Sequence, residues 1–148
     1  MAKTILQSEV KIRHKEEIKV LDSSLTRDLK LNKKNTTDIV RFVARLADFK
    51  GADYVNILEM KSRLIITDFF IIIGAKNTRL TASLEDEIKV NLKPLGLLPL
   101  HTSGTTDANW ILIDFDDFVI HIFTEEFRQF YDLERLWKDS ETVEWKQQ

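Results

Sequence analysis

Residues Trp110 to Trp137, WILIDFDDFVIHIFTEEFRQFYDLERLW, constrain the fold of this chain more than any other stretch. Two apolar runs meet at Asp116-Asp117 and lead into a segment dense in aromatic residues. A two-residue acidic turn between such runs is a hairpin signature. It sets a register in which Phe115 faces Phe118, Asp114 faces Val119, Ile113 faces Ile120, Leu112 faces His121, Ile111 faces Ile122 and Trp110 faces Phe123. Successive strand side chains point to opposite faces, so Ile111, Ile113, Phe115, Phe118, Ile120 and Ile122 share one side, and Trp110, Leu112, Asp114, Val119, His121 and Phe123 share the other. The wholly apolar side is expected against helices. The mixed side is expected to be a surface that places large apolar groups beside a carboxylate and an imidazole, a pattern that often marks a protein-binding patch. After it a helix is expected from about Thr124 to Lys138, capped by Thr124, with Glu125 and Glu126 in its first turn. Its broad apolar face would comprise Phe127, Phe130, Tyr131, Leu133, Leu136 and Trp137, with Trp137 closing the core.

Upstream, Thr36 or Thr37 can cap a helix in which Ile39, Phe42, Val43, Leu46 and Phe49 form one stripe, ending at Lys50-Gly51. Tyr54 to Leu58 reads as a strand, as does Leu64 to Ile73. The unbroken apolar run Phe69 to Ile73 suggests a central strand covered on both faces. Asn77 is suited to cap the next helix, with Leu80, Leu84, Ile88 and Leu92 as its buried stripe and Pro94 and Gly96 as its stop. A short strand is expected over Leu97 to Leu100, then a polar loop from His101 to Asn109. The fold class that results is α/β (α+β), a single mixed β-sheet of about five strands with helices packed on it.

The 148 residues suit one domain with an appendage. Residues 1–35 read as an N-terminal extension, 36–139 as the folded domain and 140–148 as a polar C-terminal tail expected to fray. The extension has two short alternating spells, Val10-Ile12 and Ile18-Val20, but Ile5, Leu6, Val10, Leu21 and Leu25 fit a helix equally well. It carries nine Lys or Arg against five Asp or Glu, whereas the remainder carries 13 against 19. An acidic body is poorly suited to gripping phosphate directly and better suited to a basic protein. The chain has no cysteine, so disulfides and thiolate metal sites are excluded. The longest apolar run is far short of the roughly 20 residues that span a bilayer, and the first 25 residues lack the apolar core of a signal peptide, which makes the cytoplasm the expected location.

Two constellations could carry chemistry. Asp114-Phe115-Asp116 is a carboxylate pair of the kind that holds a divalent cation in a metal-dependent nucleotidyltransferase. Asp116 lies in a turn, however, where aspartate is common for conformational reasons, and Gly74 stands alone where a Gly-Ser pair would support that reading. His14, His101 and His121 are widely separated without zinc-protease spacing. His121 could act as a general base, but no nucleophile stands at a recognisable spacing. The residues therefore favour no enzyme and no cofactor or metal.

The succession Thr67-Asp68-Phe69-Phe70-Ile71-Ile72, Leu98-Pro99-Leu100, Gly104 with Trp110 six residues on, Asp114-x-x-Asp117, His121-Ile122-Phe123 and Glu126-x-Arg128-x-x-Tyr131-x-Leu133-Glu134-x-Leu136-Trp137 resembles the ribosomal silencing factor family, also called Iojap. The resemblance covers about residues 36–139. It implies a nucleotidyltransferase-like topology without the catalytic carboxylate set. It also implies a regulator that binds the large ribosomal subunit through its fourteenth ribosomal protein and sterically blocks joining of the small subunit when nutrients are short, with a link to large-subunit assembly. By that resemblance the partner-binding residues are Trp110, Asp114, Asp117, His121, Phe123 and Tyr131, with Glu134 as a second-line contact. The implied docked state is a monomer, a homodimer being left open for the free protein, and the basic arm could touch ribosomal RNA. The chain departs from the family pattern at two points: Asp116 stands where a glycine is usual, and Ala75, preceded by Gly74, stands where another glycine normally comes.

Overall fold

The structure is a computed structural model that describes residues 36–60 and 67–146. The expectations for residues 1–35, and for the part of the second strand before Thr67, lie outside the described residues. Helix α1 spans Thr36–Phe49, strand β1 Tyr54–Glu59 and strand β2 Phe69–Ala75. Helix α2 (Thr78–Leu92) follows, ending in a 3-10 turn over Lys93–Leu95. Then come β3 (His101–Ser103), β4 (Trp110–Asp114) and β5 (Phe118–Thr124), and two short helices, α3 (Glu125–Tyr131) and α4 (Leu133–Leu136). The five strands form one mixed sheet in the order β1-β2-β5-β4-β3, in which only the central β2-β5 pair is parallel.

The hairpin has the register read from the sequence, from Trp110↔Phe123 to Asp114↔Val119. At its tip the Asp117 N–H donates to the Phe115 carbonyl at 3.1 Å, a three-residue turn around Asp116, whose φ is +78°. That conformation is costly for a residue with a Cβ, and the Asp114 carboxylate holds it in place by accepting the Asp116 N–H at 2.8 Å.

Strand β2 is buried along its whole length, as the run Phe69–Ile73 suggested. Phe69, Ile71, Ile73 and Ala75 join the apolar hairpin face under α1 and α2, while Phe70 and Ile72 enter a second core on the opposite side. Asn77 caps α2 by accepting the Leu80 N–H at 2.9 Å, and Gly96 ends the helical stretch at φ +79°.

Three expectations are corrected. On α1 the buried face is Thr36, Ile39, Val40, Val43, Ala44 and Ala47, turned about one residue from the expected stripe, so Phe42 and Phe49 are exposed. Small side chains at 44 and 47 let the helix lie close to the sheet, which a Phe on that side would prevent. The strand placed at Leu97–Leu100 is instead His101–Ser103. The Gly96 and Leu97 amides close the preceding helical turn, and Pro99 has no N–H to give a ladder.

Residues 140–146 of the tail do not fray. The Glu59 N–H donates to the Glu141 carbonyl at 2.8 Å and the Val143 N–H to the Ile57 carbonyl at 2.9 Å, so residues 141–143 line the outer edge of β1. Trp145 then enters the main core, and the Arg41 and Arg45 guanidiniums donate to the carbonyls of Glu144 and Trp145 at 2.9 and 2.8 Å. Val143 and Trp145 are spaced to share one strand face, a pattern too short to stand out in a polar tail.

Candidate functional site: an aromatic face on the last helices

The mixed face of the hairpin is not an open surface. Leu112, Asp114, Val119, His121 and Phe123 are all buried, and with Leu58, Met60, Phe70, Ile72, Leu133 and Trp137 they belong to or border the second core. Its lid is the C-terminal segment, which turns back over the sheet instead of running away from it. Of the residues placed at the interface by sequence, Asp114, His121 and Phe123 therefore have no surface to offer a partner. Trp110, Asp117 and Glu134 are half-buried, and Tyr131 is 43% exposed.

Buried and exposed members are joined through Trp110. Its indole N–H donates to His121 Nδ1 at 3.1 Å, which places the proton of the neutral imidazole on Nε2. Burial pushes the His121 pKa down to about 3, so the ring stays a neutral acceptor at physiological pH. Its Nε2 has no hydrogen-bond partner. Phe70 lies edge-on to the imidazole with centroids 4.7 Å apart. Trp110 itself is stacked on Phe123 at 4.9 Å and meets Tyr131 at 4.8 Å. Behind it Gly104, at φ +81°, approaches so closely that a Cβ there would strike the Trp110 carbonyl oxygen. The glycine and the tryptophan six residues later are one packing unit.

The single helix expected over Thr124–Lys138 is broken. Asp132 has φ +47°, closing α3 through a 2.9 Å bond from its N–H to the Arg128 carbonyl, and α4 starts one residue later. Thr124 holds the N-cap position without a side-chain cap bond. The break divides the expected apolar face in two. Leu133 and Trp137 turn inward, whereas Phe130 at 77% and Leu136 at 61% face solvent. The Phe130 ring lies 5.1 Å from Tyr131, which also meets Phe127 at 5.9 Å. Phe130 and Tyr131, the latter resting on Trp110, thus make an exposed aromatic patch, and Leu136 is exposed on the next helix. Phe130 and Leu136 were expected to be buried, because a helical pattern drawn through residue 132 puts them on one inward stripe with Leu133 and Trp137.

A polar cluster holds the broken segment to the sheet. Arg128 Nε and Nη2 both donate to Glu125 Oε2, at 3.1 and 2.9 Å, and Nη1 reaches Glu134 Oε1 at 3.3 Å. The guanidinium carbon lies 4.0 Å from the centre of the Tyr54 ring, a cation–π contact. Asn56 Nδ2 approaches the other Glu134 oxygen at 3.4 Å. Partial burial raises the Glu134 pKa despite the nearby guanidinium. A Cβ at Gly74 would strike the Glu125 carboxylate, so the glycine at 74, with Ala75 buried beside it, admits this cluster. Sequence reasoning quoted Arg128 within the family motif without giving it a role, and gave none to Tyr54 or Asn56. The Glu125/Arg128 spacing of three was the available signal for the first of these.

In the fold the carboxylate pair is an element of the hairpin turn. Asp114 Oδ1 is bonded to the Asp116 amide, so it serves as a turn-stabilising acceptor. Among the described residues no group of three or more His, Asp or Glu side chains is arranged to hold a metal ion, and no helix is long and apolar enough to cross a membrane.

Comparison with known proteins adds a family. The family model described as "Ribosomal silencing factor during starvation" matches residues 33–148, which includes the docked tail. The ribosomal silencing factor RsfS of Halalkalibacterium halodurans is 33% identical over 107 residues, covering 72% of this chain and 92% of that one. A mouse protein named "Mitochondrial assembly of ribosomal large subunit protein 1" is 29% identical over 103 residues, covering 68% of this chain and 45% of that one. A crystal structure of a Bacillus halodurans protein superposes with a TM-score of 0.64 at 31% identity, covering 72% of this chain and 97% of that one.

Proposed function

From the premise that the chain belongs to the ribosomal silencing factor family, we propose that it represses translation by docking on the large ribosomal subunit, through the fourteenth ribosomal protein, and obstructing the small subunit. The observation that carries this reading is the exposed pair Phe130 and Tyr131 against Trp110, with Leu136 also exposed on the following helix. Aromatic side chains clustered on a rigid support are the usual anchors of protein interfaces, because they desolvate a large area while losing little conformational freedom. The segment around them is acidic: Glu125, Glu126, Asp132 and Glu134 stand against Arg128 and Arg135. That balance suits a basic partner such as a ribosomal protein.

Blocking subunit joining requires no chemistry. A domain bound through an interface of ordinary size, roughly 1,200–2,000 Å² in total, excludes the small subunit by its volume for as long as it stays docked. Trp110, Tyr131 and Asp117 keep the contact role proposed for them. His121 and Phe123 act from beneath by fixing Trp110, Asp114 by holding the turn that carries Asp117, and Glu134 by fixing α4. Residues 1–35, with their excess of basic side chains, add a salt-sensitive contact to ribosomal RNA, and deleting them should lower the slope of affinity against salt.

Sucrose-gradient profiles of purified subunits test the proposal. Adding the protein should shrink the joined-ribosome peak and place the protein with large subunits. An unchanged peak with no co-sedimentation would refute it. The name of the mouse relative favours a second role in large-subunit assembly. Immature large-subunit particles accumulating in cells depleted of the protein, with subunit joining unaffected in vitro, would favour assembly over silencing.

A further inference from the structure

We propose that Arg128 is a positioning residue for the docking face: it sets the angle between α3 and α4, and so decides where Phe130 and Leu136 point. This rests on the docking role proposed above for that face. Helix α3 has seven residues, none fully buried, and α4 has four. Helices this short do not hold themselves in water, so their orientation must come from attachments to the body.

Arg128 supplies attachments on both sides of the break. Its carbonyl accepts the Asp132 N–H that closes α3. Its guanidinium crosses the break to Glu134 in α4 while gripping Glu125 in the first turn of α3. The same plane lies on the Tyr54 ring of β1, which ties both helices to the sheet edge. Glu134 completes the link from α4, accepting from Arg128 with one oxygen and from Asn56 of β1 with the other. Phe130 and Leu136 lie on opposite sides of the break, so the angle between the helices sets how the two exposed side chains are placed relative to each other.

The planar fork is essential to this role. Lysine keeps the charge, but as a point donor it cannot give two bonds to the Glu125 oxygen, reach Glu134 and stack on Tyr54 at once. Arg128→Lys should therefore fold and still misplace the face.

The test measures binding of the full-length protein to isolated large subunits by co-sedimentation titration, for wild type, Arg128→Lys, Phe130→Ala and the double variant, with thermal midpoints recorded alongside. Arg128→Lys is expected to bind about tenfold more weakly. The double variant should be little weaker than Phe130→Ala alone, since residues acting through one another do not add. Wild-type affinity in Arg128→Lys, or fold-losses that multiply in the double variant, would overturn the positioning role. Wild-type affinity in Phe130→Ala would instead overturn the docking face itself, which keeps the two failures apart. Should Arg128→Lys not fold, Tyr54→Leu removes the stacking partner alone. It is expected to weaken binding about threefold, and unchanged affinity there would equally overturn the proposal.

Discussion

The two faces of the sheet are both buried, but they are closed by different means. One buries a core of aliphatic and aromatic side chains under α1 and α2, helices of 14 and 15 residues. The other holds His121, Asp114 and Trp110 among its apolar groups and is closed by two short helices joined at a left-handed residue. The first needs nothing but area removed from water. The second depends on a few directed contacts, Trp110 to His121, Asp114 to Asp116 and Arg128 to its carboxylates, and its cover is thin enough that aromatic side chains emerge through it. The thick side carries stability, and the thin side presents the proposed docking face.

Substitutions on the two faces should therefore separate stability from binding. The largest effect is expected in the main core: Ile120→Ala, on a central strand and fully buried, should lower unfolding free energy by about 2–5 kcal/mol in denaturant titrations, with large-subunit affinity retained while the protein is folded. A comparable loss of affinity at a temperature well below its midpoint would erase the distinction. Next, Phe130→Ala should leave stability within about 0.5 kcal/mol and weaken large-subunit binding by about 2 kcal/mol, roughly 30-fold.

The pH dependence belongs to the thin side. Folded His121 titrates at about 3 against an ordinary 6.5, so between those values the unfolded chain holds a proton that the folded chain lacks. Stability is complete above pH 6.5 and falls as the pH drops towards 3, by up to about 1.4 kcal/mol per unit. His121→Gln keeps an acceptor for Trp110 and removes this slope. Equal pH profiles for the variant and the wild type, followed by chemical unfolding, would show that the imidazole is not buried as described. The smallest effect is at the hairpin tip. Asp116→Gly should raise stability by about 1 kcal/mol, since glycine adopts φ +78° without strain, and a loss of stability would mean that the Asp116 side chain outweighs that strain.

The difference between the faces also explains what the sequence could convey. Strand alternation, Asn77 as a cap, Gly96 as a stop and the register from Trp110 to Phe123 are local properties, and all of them appear in the fold. Strand β2 was readable as interior because its run Phe69–Ile73 is apolar on both faces. The cover of the mixed face was not readable. Whether His121 and Phe123 are exposed depends on where residues 125–137 are folded back, and that follows from the left-handed Asp132, for which aspartate is only weak advance notice. Treating residues 124–138 as one helix placed Phe130 and Leu136 inside and left the hairpin surface open. The tail failed to register for a similar reason: two apolar residues, Val143 and Trp145, dock 140–146 against an edge strand some 85 residues earlier. The family motif, by contrast, survived these errors, because Gly104, Trp110, Arg128, Tyr131 and Glu134 are in mutual or adjacent contact across the second core.

Phe49 and Phe130 are both exposed phenylalanines, at 82% and 77%, one on the thick side and one on the thin side. A photo-crosslinking phenylalanine analogue placed at each position in turn, followed by irradiation with isolated large subunits, compares the two faces directly. A crosslink to the fourteenth ribosomal protein from position 130 and none from position 49 is the predicted result. A crosslink from position 49 with none from position 130 would place docking on the helical layer and contradict the account.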